Sequence, residues 1–371
     1  MNDDSPVTKE TVRRLGFGLL ISILAFATNV SFAIDIPSLY TAEVMLDQEE
    51  EDPRAVAYAR GLWEIVVRVT GSELSEDAPL LEELFPNPAR YVLQYRQGAD
   101  ETLSISFDGE AIENVLRRAG ETVWGADRPL TLVWLAVDWG QGEREIVAAD
   151  DPERDTDDSR SIDRDRLLRE RVQETASRRG IPIAFPLLDT EDLQNVSFTD
   201  IWGGFGEQLL LASQRYQANS ILVGRVRANA LQRNRWTFYF GGVQEEWTGE
   251  PENAVHLLAD ALAAEFAFSG NAPVETVTLN IAGIDSVRAY GTVQRYLANL
   301  SLIETFGVHT VSGDEVRYEV TLRGGATRLR RALEISEILM PVENFDEPLR
   351  LDPFPATRPL DFMFRAPIRN Y

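Results

Sequence analysis

The sequence predicts an α+β protein of two to three small α/β modules that follow a cleaved signal peptide. Three observations predict this class: an apolar run close to the start, strands and amphipathic helices that alternate along the chain, and an acidic stretch between two such groups. The chain has 371 residues, of which 44% are hydrophobic. That length and apolar content are sufficient for two or three packed cores.

Residues 1–33 have the layout of a secretory signal. A short basic start precedes an apolar run over 15–27, and small residues end the segment at Ala33. The run is shorter than the roughly 20 apolar residues that a membrane-spanning helix needs, so we expect cleavage rather than a retained anchor. The chain has no Cys, which excludes a lipid anchor at the cleavage point. We therefore expect a periplasmic protein that begins near Ile34.

An N-terminal α+β domain is predicted over residues 36–140. Apolar residues at helical spacing predict two helices, one that Gly71 ends and one that Asp108 caps and Gly120 ends. Alternation of apolar and polar residues predicts a strand, and a nearly all-apolar run predicts another that is covered on both faces. The first helix is predicted over 54–70, and the strands over 91–96, 102–107 and 130–137.

An acidic linker is predicted over residues 148–165. Eight acidic residues and almost no apolar ones indicate a solvated, flexible segment. A calcium loop is the alternative, but it needs a Gly at its sixth position and a Glu at its twelfth, and that pattern is absent. Two scattered His and no Cys also argue against zinc, so we expect no metal site and no cofactor.

A middle α/β domain is predicted over residues 166–270. Its first helix ends at Gly180, and the glycine-rich stretch 200–206 precedes a second helix that runs to Tyr216. A closing helix carries apolar residues along one face. The predicted strands span 181–185, 219–226, 235–240 and 243–248.

The third domain, residues 274–343, is predicted to be ferredoxin-like. Its elements follow the order β-α-β-β-α-β, and the stretch 315–322 alternates strictly between apolar and polar residues. In that fold the helices cover one face of the sheet and leave the other open. The Pro- and Arg-rich tail, 344–371, is expected to drape across other domains or to be mobile.

The balance of charge excludes some partners. Acidic residues outnumber basic ones by 60 to 36, which gives a net charge of −24. Such a chain repels phosphate backbones, so we expect no nucleic-acid partner. Anionic lipid surfaces are disfavoured too, and no stable membrane insertion is expected once the signal is removed. The oligomeric state stays open.

Several short runs resemble an uncharacterised proteobacterial family, the domain-of-unknown-function family 2066. The matching runs are 67–71, 124–125, 128–135, 186–189, 200–206, 213–216 and 221–225. The resemblance covers most of the chain after the signal. It implies a secreted envelope protein with no assigned activity, and it brings no catalytic residues with it.

Candidate binding residues occur at two places before the third domain. Gly203, Gly204 and Gly206 open a helix and can present amide groups to an anion, beside Trp202. The alternative is a tight turn with the indole packed as a plug. Arg128 is a candidate buried or half-buried cation, either paired with an acidic residue across a domain junction or free to bind an anion.

Candidate catalytic residues are few in this chain. His256 is interpreted as a surface partner of Asp260 one helical turn later, and no nucleophile elbow or P-loop is present. Carboxylates around Trp202, with Trp236 as a further sugar-stacking candidate, keep a cell-wall glycan hydrolase open as an alternative. Carriage of a small ligand at the glycine-rich helix start is a third possibility.

The favoured hypothesis is a non-enzymatic envelope adaptor or assembly factor that binds another protein. The predicted surface is the open sheet face of the third domain, near Arg317, Glu319, Thr321 and His309. Exposed sheet edges at this face can accept a partner strand.

Overall fold

The computed structural model describes residues 39–75, 78–98, 101–150, 159–228, 233–336, 338–342 and 359–365, all within one compact unit. The helices are α1 (Pro53–Thr70), α2 (Pro79–Leu84), α3 (Gly109–Ala119), α4 (Ser159–Arg178), α5 (Thr190–Asn195), α6 (Phe198–Gly203), α7 (Gly206–Ser213), α8 (Pro251–Phe266), α9 (Val287–Asn299) and α10 (Ala326–Glu334). The strands are β1 (Thr41–Met45), β2 (Val92–Gln97), β3 (Thr102–Phe107), β4 (Thr122–Val123), β5 (Thr131–Gly140), β6 (Glu143–Ile146), β7 (Ile183–Ala184), β8 (Ser220–Arg227), β9 (Arg235–Phe240), β10 (Val243–Thr248), β11 (Phe268–Ser269), β12 (Val274–Ala282), β13 (Ile303–Ser312), β14 (Glu315–Arg323), β15 (Leu339–Pro341) and β16 (Leu360–Phe364). The predicted α+β class is confirmed.

The first module is a three-stranded antiparallel sheet, in the order β1-β3-β2, packed against α1 and α3. The Asp52 side chain caps α1, and Gly71 ends it in the left-handed conformation that glycine adopts without strain. Asp108 and Gly120 begin and end α3 in the same way. The capping aspartates and the terminating glycines thus determine where both helices begin and end.

The middle module is a six-stranded sheet between two helical layers. Its order is β10-β9-β8-β5-β6, and β7 pairs with the start of β5. One face packs on α4 and α8, and the other packs on α5, α6 and α7. Alternate residues of β5 enter both cores, so this strand is covered on both faces as predicted.

The predicted domain boundary after residue 140 does not separate two cores. β5 was assigned to the N-terminal domain, but it pairs in parallel with β8 over eight residue pairs at the centre of the middle sheet. Parallel pairing joins segments that are distant in sequence, which a local apolar pattern does not reveal.

The third module is a five-stranded sheet in the order β13-β14-β12-β16-β15, with α9 and α10 packed on one face. It contains the predicted β-α-β-β-α-β elements, which are β12, α9, β13, β14, α10 and β15. In the sheet, β16 lies between β12 and β15. β16 runs parallel to β12 and antiparallel to β15. Part of the tail expected to drape or to be mobile therefore forms an interior strand, because Leu360 and Phe362 alternate with polar or exposed neighbours and enter the core.

The first and third modules share one apolar core. The two-residue strand β4, which follows α3 of the first module, pairs with β11, which follows α8 of the middle module. Of the predicted acidic linker, residues 151–158 lie outside the described residues, and α4 already begins at residue 159. The predicted signal peptide, 1–33, lies outside them too. Among the described residues, none of the helices combines the length and apolarity that crossing a bilayer requires.

Candidate functional site

The outer face of the third sheet is the side of β12, β14 and β16 that lies opposite α9 and α10. On β14, Arg317 and Glu319 are exposed and Thr321 is half-buried. The side chains that alternate with them on the helix side belong to Val316, Tyr318, Val320 and Leu322, and all are buried. Three of the predicted binding residues thus lie together on one polar face.

A row of hydrogen bonds crosses this outer face. Arg317 Nε donates to Asn280 Oδ1 at 3.0 Å, and Asn280 Nδ2 donates to Asp361 Oδ1 at 2.7 Å. Four residues along the same two strands, the hydroxyl groups of Thr276 and Thr321 are 3.3 Å apart. The row holds the side chains of three strands in fixed positions while leaving Glu319 exposed.

β13 forms the edge of the sheet beside this face. Val308 and Val311 point to the helix side but remain 41% and 62% exposed. Register shifts interrupt the pairing with β14 between Ile303 and Thr305 and again between Val308 and Thr310. His309 is exposed and lies at the second of these irregularities. Such bulges limit the length over which an added strand can form regular backbone hydrogen bonds with β13.

The glycine-rich turn lies in the middle module, away from the third module's sheet. Gly204 ends α6 in the left-handed conformation, and its N–H, like that of Phe205, donates to the carbonyl of Asp200. The N–H of Gly206 donates to the carbonyl of Gly204 at 2.9 Å. These amides already have acceptors within the chain, so the turn interpretation is favoured over anion binding.

Trp202 is half-buried above this turn. Its ring stacks on Phe198 with a centroid separation of 5.1 Å, and the Arg227 guanidinium lies 4.8 Å from the ring centroid. Gly203 is the last residue of α6, where the ring of Phe205 leaves no room for a side chain. The indole therefore packs between an aromatic ring and a cation.

Arg128 lies where the C-terminal ends of two helices meet. Its guanidinium donates to five carbonyl oxygens, at distances between 2.6 and 3.3 Å. The acceptors belong to Arg68 at the end of α1, Arg179 and Gly180 at the end of α4, and Trp124 and Gly125. The predicted acidic partner is thus replaced by helix-end carbonyls, which attract cations. Burial lowers the pKa of Arg128 from its ordinary value to about 9.

Arg179 makes a second connection at the same junction. It is 1% exposed, and it donates to Asp260 at 2.7 Å and to the carbonyl of Gly71 at 2.8 Å. Its other terminal nitrogen is 2.9 Å from His256 Nδ1. The expected surface pair of His256 and Asp260 is therefore wrong, because both side chains bind this buried arginine instead.

A polar pocket lies between the three modules. Its lining includes Trp124, Asp127, Ser301 and Arg328. The indole N–H of Trp124 and Nε of Arg328 are buried and have no hydrogen-bond partner among the described residues. Burial raises the pKa of Asp127 from 3.8 to about 6. The sequence does not reveal these groups, because each is isolated in the chain and belongs to no spacing pattern.

The carboxylates near Trp202 are held in structural roles. Arg215 binds both oxygens of Asp189 at 2.7 Å and the buried Asp192 at 3.0 Å. The Arg215 guanidinium lowers the pKa of Asp189 to about 2. Asp200 completes a capping box with Ser197 at the start of α6. The second stacking candidate, Trp236, is 1% exposed and donates its indole N–H to the carbonyl of Gly249.

One carboxyl pair converges beside a different tryptophan. Asp165 and Glu145 are hydrogen-bonded to each other, and Trp139 donates its indole N–H to Glu145 at 3.0 Å. Burial and the charge of Glu145 raise the pKa of Asp165 to about 7. A glycosidase separates its two carboxyl groups by roughly 5 to 9.5 Å to admit the sugar or a water, so a directly bonded pair does not fit that chemistry. Among the described residues, no group of three or more potential ligands could hold a metal ion.

Comparison with known proteins assigns only the first module. Residues 33–125 match a family described as Domain of unknown function (DUF8605). The match ends before β5 begins at Thr131, which agrees with the module boundary in the structure. No curated protein and no solved structure matches the chain. The chain therefore contains an uncharacterised domain.

Proposed function

We propose that this protein is an exported envelope adaptor that binds another protein through the outer face and the β13 edge of its third module. One combination of features carries the proposal. The outer face has a fixed row of polar side chains, and beside it lies β13, which pairs with β14 on one side and with no strand of the described residues on the other. Backbone groups on an edge strand provide affinity for an added strand, and the neighbouring side chains provide specificity.

The apolar side chains at the edge define the partner segment. Val308 and Val311 lie on the helix side of β13 and are 41% and 62% exposed. An added strand with apolar residues at alternate positions would cover them and leave its polar residues beside Glu319. Because of the two register shifts, the regular stretch is short, so the partner strand is short as well.

Export to the periplasm is part of this proposal. The layout of residues 1–33 supports it, and the family match starts at residue 33, beside the proposed cleavage point. The N-terminal sequence of the protein recovered from the cell envelope should begin near Ile34. Recovery of the uncleaved chain from the cytoplasm would contradict export.

Two finer assignments also remain proposals. We assign the third module to the ferredoxin-like arrangement with β16 inserted, since its helices share one sheet face and its other strands keep the required neighbours. The likeness to family 2066 extends the uncharacterised assignment beyond residue 125, to the runs in the middle module.

The adaptor proposal is tested by cross-linking and affinity capture of the tagged protein from living cells that express it natively. The test variant carries Arg317→Ala with Glu319→Ala on the outer face. The control carries Arg288→Ala with Glu334→Ala, which makes the same charge change at exposed positions on the helix side. We expect one partner to be captured by the wild type and the control and to be lost from the test variant. Equal capture by both variants would refute this binding surface.

A further inference from the structure

We propose that the middle module carries a second docking surface, which binds a cationic amphipathic segment of another protein. The surface, called here the α7 patch, consists of Leu193 on α5, Phe205 in the turn before α7, and Leu210 and Leu211 on α7. This proposal does not rest on the proposed function, because it concerns a different module and different residues.

The members of the α7 patch are unusually exposed for large apolar side chains. Leu193, Phe205 and Leu211 are 59 to 63% exposed, and Leu210 is 40% exposed. Single exposed apolar residues are common on protein surfaces, but several within one short segment indicate an interaction site.

The geometry of α7 prevents these leucines from entering the core. Leu209 and Ser213, four residues apart, point inward and are buried. Leu210 and Leu211 share the outward face with exposed Glu207, at spacings of three and four residues. The helix therefore buries one apolar residue and displays two.

A hydrogen bond joins α7 to the end of α5, the two helices that carry the patch. Gln208 Nε2 donates to the carbonyl of Asn195, at the end of α5, at 2.8 Å. Phe205, which precedes α7, and Leu211 each lie three residues from Gln208, a spacing at which helical side chains are neighbours. Leu193 lies two residues before Asn195 on α5 and is exposed.

The scaffold beneath the patch is fixed. Ser213 accepts a hydrogen bond from the buried indole of Trp134 and donates to the carbonyl of Leu209. Arg215 ties the end of this segment to Asp189 and Asp192 at its start. Binding to a rigid surface costs little conformational entropy, so a modest apolar area suffices for affinity.

Charge identifies the class of partner. Between Arg179 and Arg215 the chain has five acidic residues and no Lys or Arg. Glu191 and Glu207 are exposed on the helices that carry the patch. Among the described residues, Arg215 alone offsets Asp189, Glu191 and Asp192, so the segment keeps a net negative charge. Among the arginines of other elements, Arg144 and Arg227 lie over the rings of Phe198 and Trp202 on the α6 side, and the Arg225 guanidinium lies beside Gly204.

An apolar surface bordered by carboxylates complements a helix with leucine-like residues on one face and Lys or Arg beside them. A second copy of this chain, with a net charge of −24, lacks that complementarity. An anionic bilayer lacks it as well.

The test measures binding of a fluorescent synthetic peptide of leucine and lysine, spaced as an amphipathic helix, to the full protein after the signal. The test variant carries Leu210→Ser with Leu211→Ser, and the control carries Val287→Ser, an apolar residue that is 89% exposed on α9. We expect the double variant to weaken binding roughly tenfold or more, as for loss of a central apolar anchor. The control should bind like the wild type.

A second variant, Glu191→Gln with Glu207→Gln, keeps the apolar side chains in place and removes two charges. It should weaken binding and reduce the dependence of affinity on salt. The proposal is overturned if the double leucine variant binds as well as the control, or if a peptide with the same composition but no helical spacing binds equally. It is also overturned if the patch instead mediates self-association that the leucine variant abolishes, or binding to anionic lipid vesicles.

Discussion

At the scale of single residues, Arg128 shows how this fold joins its modules. The sequence predicts a buried or half-buried cation at this position, and in the structure Arg128 is half-buried with its guanidinium bound by the chain. The predicted acidic partner is absent because the acceptors are backbone carbonyls at the ends of α1 and α4. Every residue has a backbone carbonyl, so no pattern of side chains in the sequence can predict which carbonyls accept these hydrogen bonds.

Replacing Arg128 by Met should be severely destabilising. The substitution leaves five carbonyl oxygens without their donor, and losing hydrogen bonds to a charged group costs about 1.5 to 3 kcal/mol each. We expect the free energy of unfolding in urea to fall by at least about 3 kcal/mol. The matched control is Arg330→Met at an exposed position on α10. Equal stabilities of the two variants would show that Arg128 is not a structural donor.

Asp127 should make stability depend on pH. Burial raises its pKa to about 6 in the folded protein, above the 3.8 of the unfolded chain. The folded state therefore holds the proton more tightly, and its stability falls as the pH rises between these values. The loss between pH 4.5 and 7.5 is about 2 kcal/mol.

The variant Asp127→Asn should lack this part of the pH dependence. Urea unfolding at both pH values measures it, and Asp165→Asn serves as the comparison because the pKa of Asp165 is raised as well. If Asp127→Asn retains the full pH dependence of the wild type, the carboxyl group does not titrate as described.

At the scale of elements, local patterns predict most boundaries. The strands 102–107, 235–240 and 243–248 have the predicted limits, because alternation and glycine turns define them locally. β16 was missed because it is five residues long and lies in a Pro- and Arg-rich tail. Its position is decided by parallel pairing with β12, a contact distant in sequence.

β16 should be essential to the third module. Phe362 is 1% exposed, so Phe362→Ala should lower the free energy of unfolding by about 3 to 5 kcal/mol. Met363→Ala, at the neighbouring position that is 44% exposed, should change it by less than about 1 kcal/mol. Urea unfolding of both variants checks this. Similar effects from the two substitutions would mean that β16 does not pack in the orientation described.

At the scale of the whole molecule, the sequence predicts separate modules, whereas the first and third share a continuous apolar core. Amides in β3 and β12 should therefore exchange with solvent deuterium through openings of similar free energy, since a shared core unfolds as one cooperative unit. Native-state hydrogen exchange in low urea measures this. Independent opening of the third module, with β3 still protected, would contradict the shared core.

The candidate sites lie on different modules of the molecule. The outer face lies on the third module and the glycine-rich turn lies on the middle one, while Arg128 lies at a junction. The sequence identified the outer face because strict alternation in β14 decides which side chains are exposed. It did not identify the α7 patch, because the exposure of Leu210 and Leu211 depends on which side of α7 meets the sheet.

The central claim is that the third module binds a partner protein at the β13 edge. The most direct measurement places a photo-crosslinking residue at Val311 and irradiates living cells, with Val287 on α9 as the exposed control position. We predict an adduct of one size from position 311, its loss when Arg317→Ala and Glu319→Ala are added, and no such adduct from position 287. The absence of an adduct at position 311, or the same adduct from both positions, would contradict the claim.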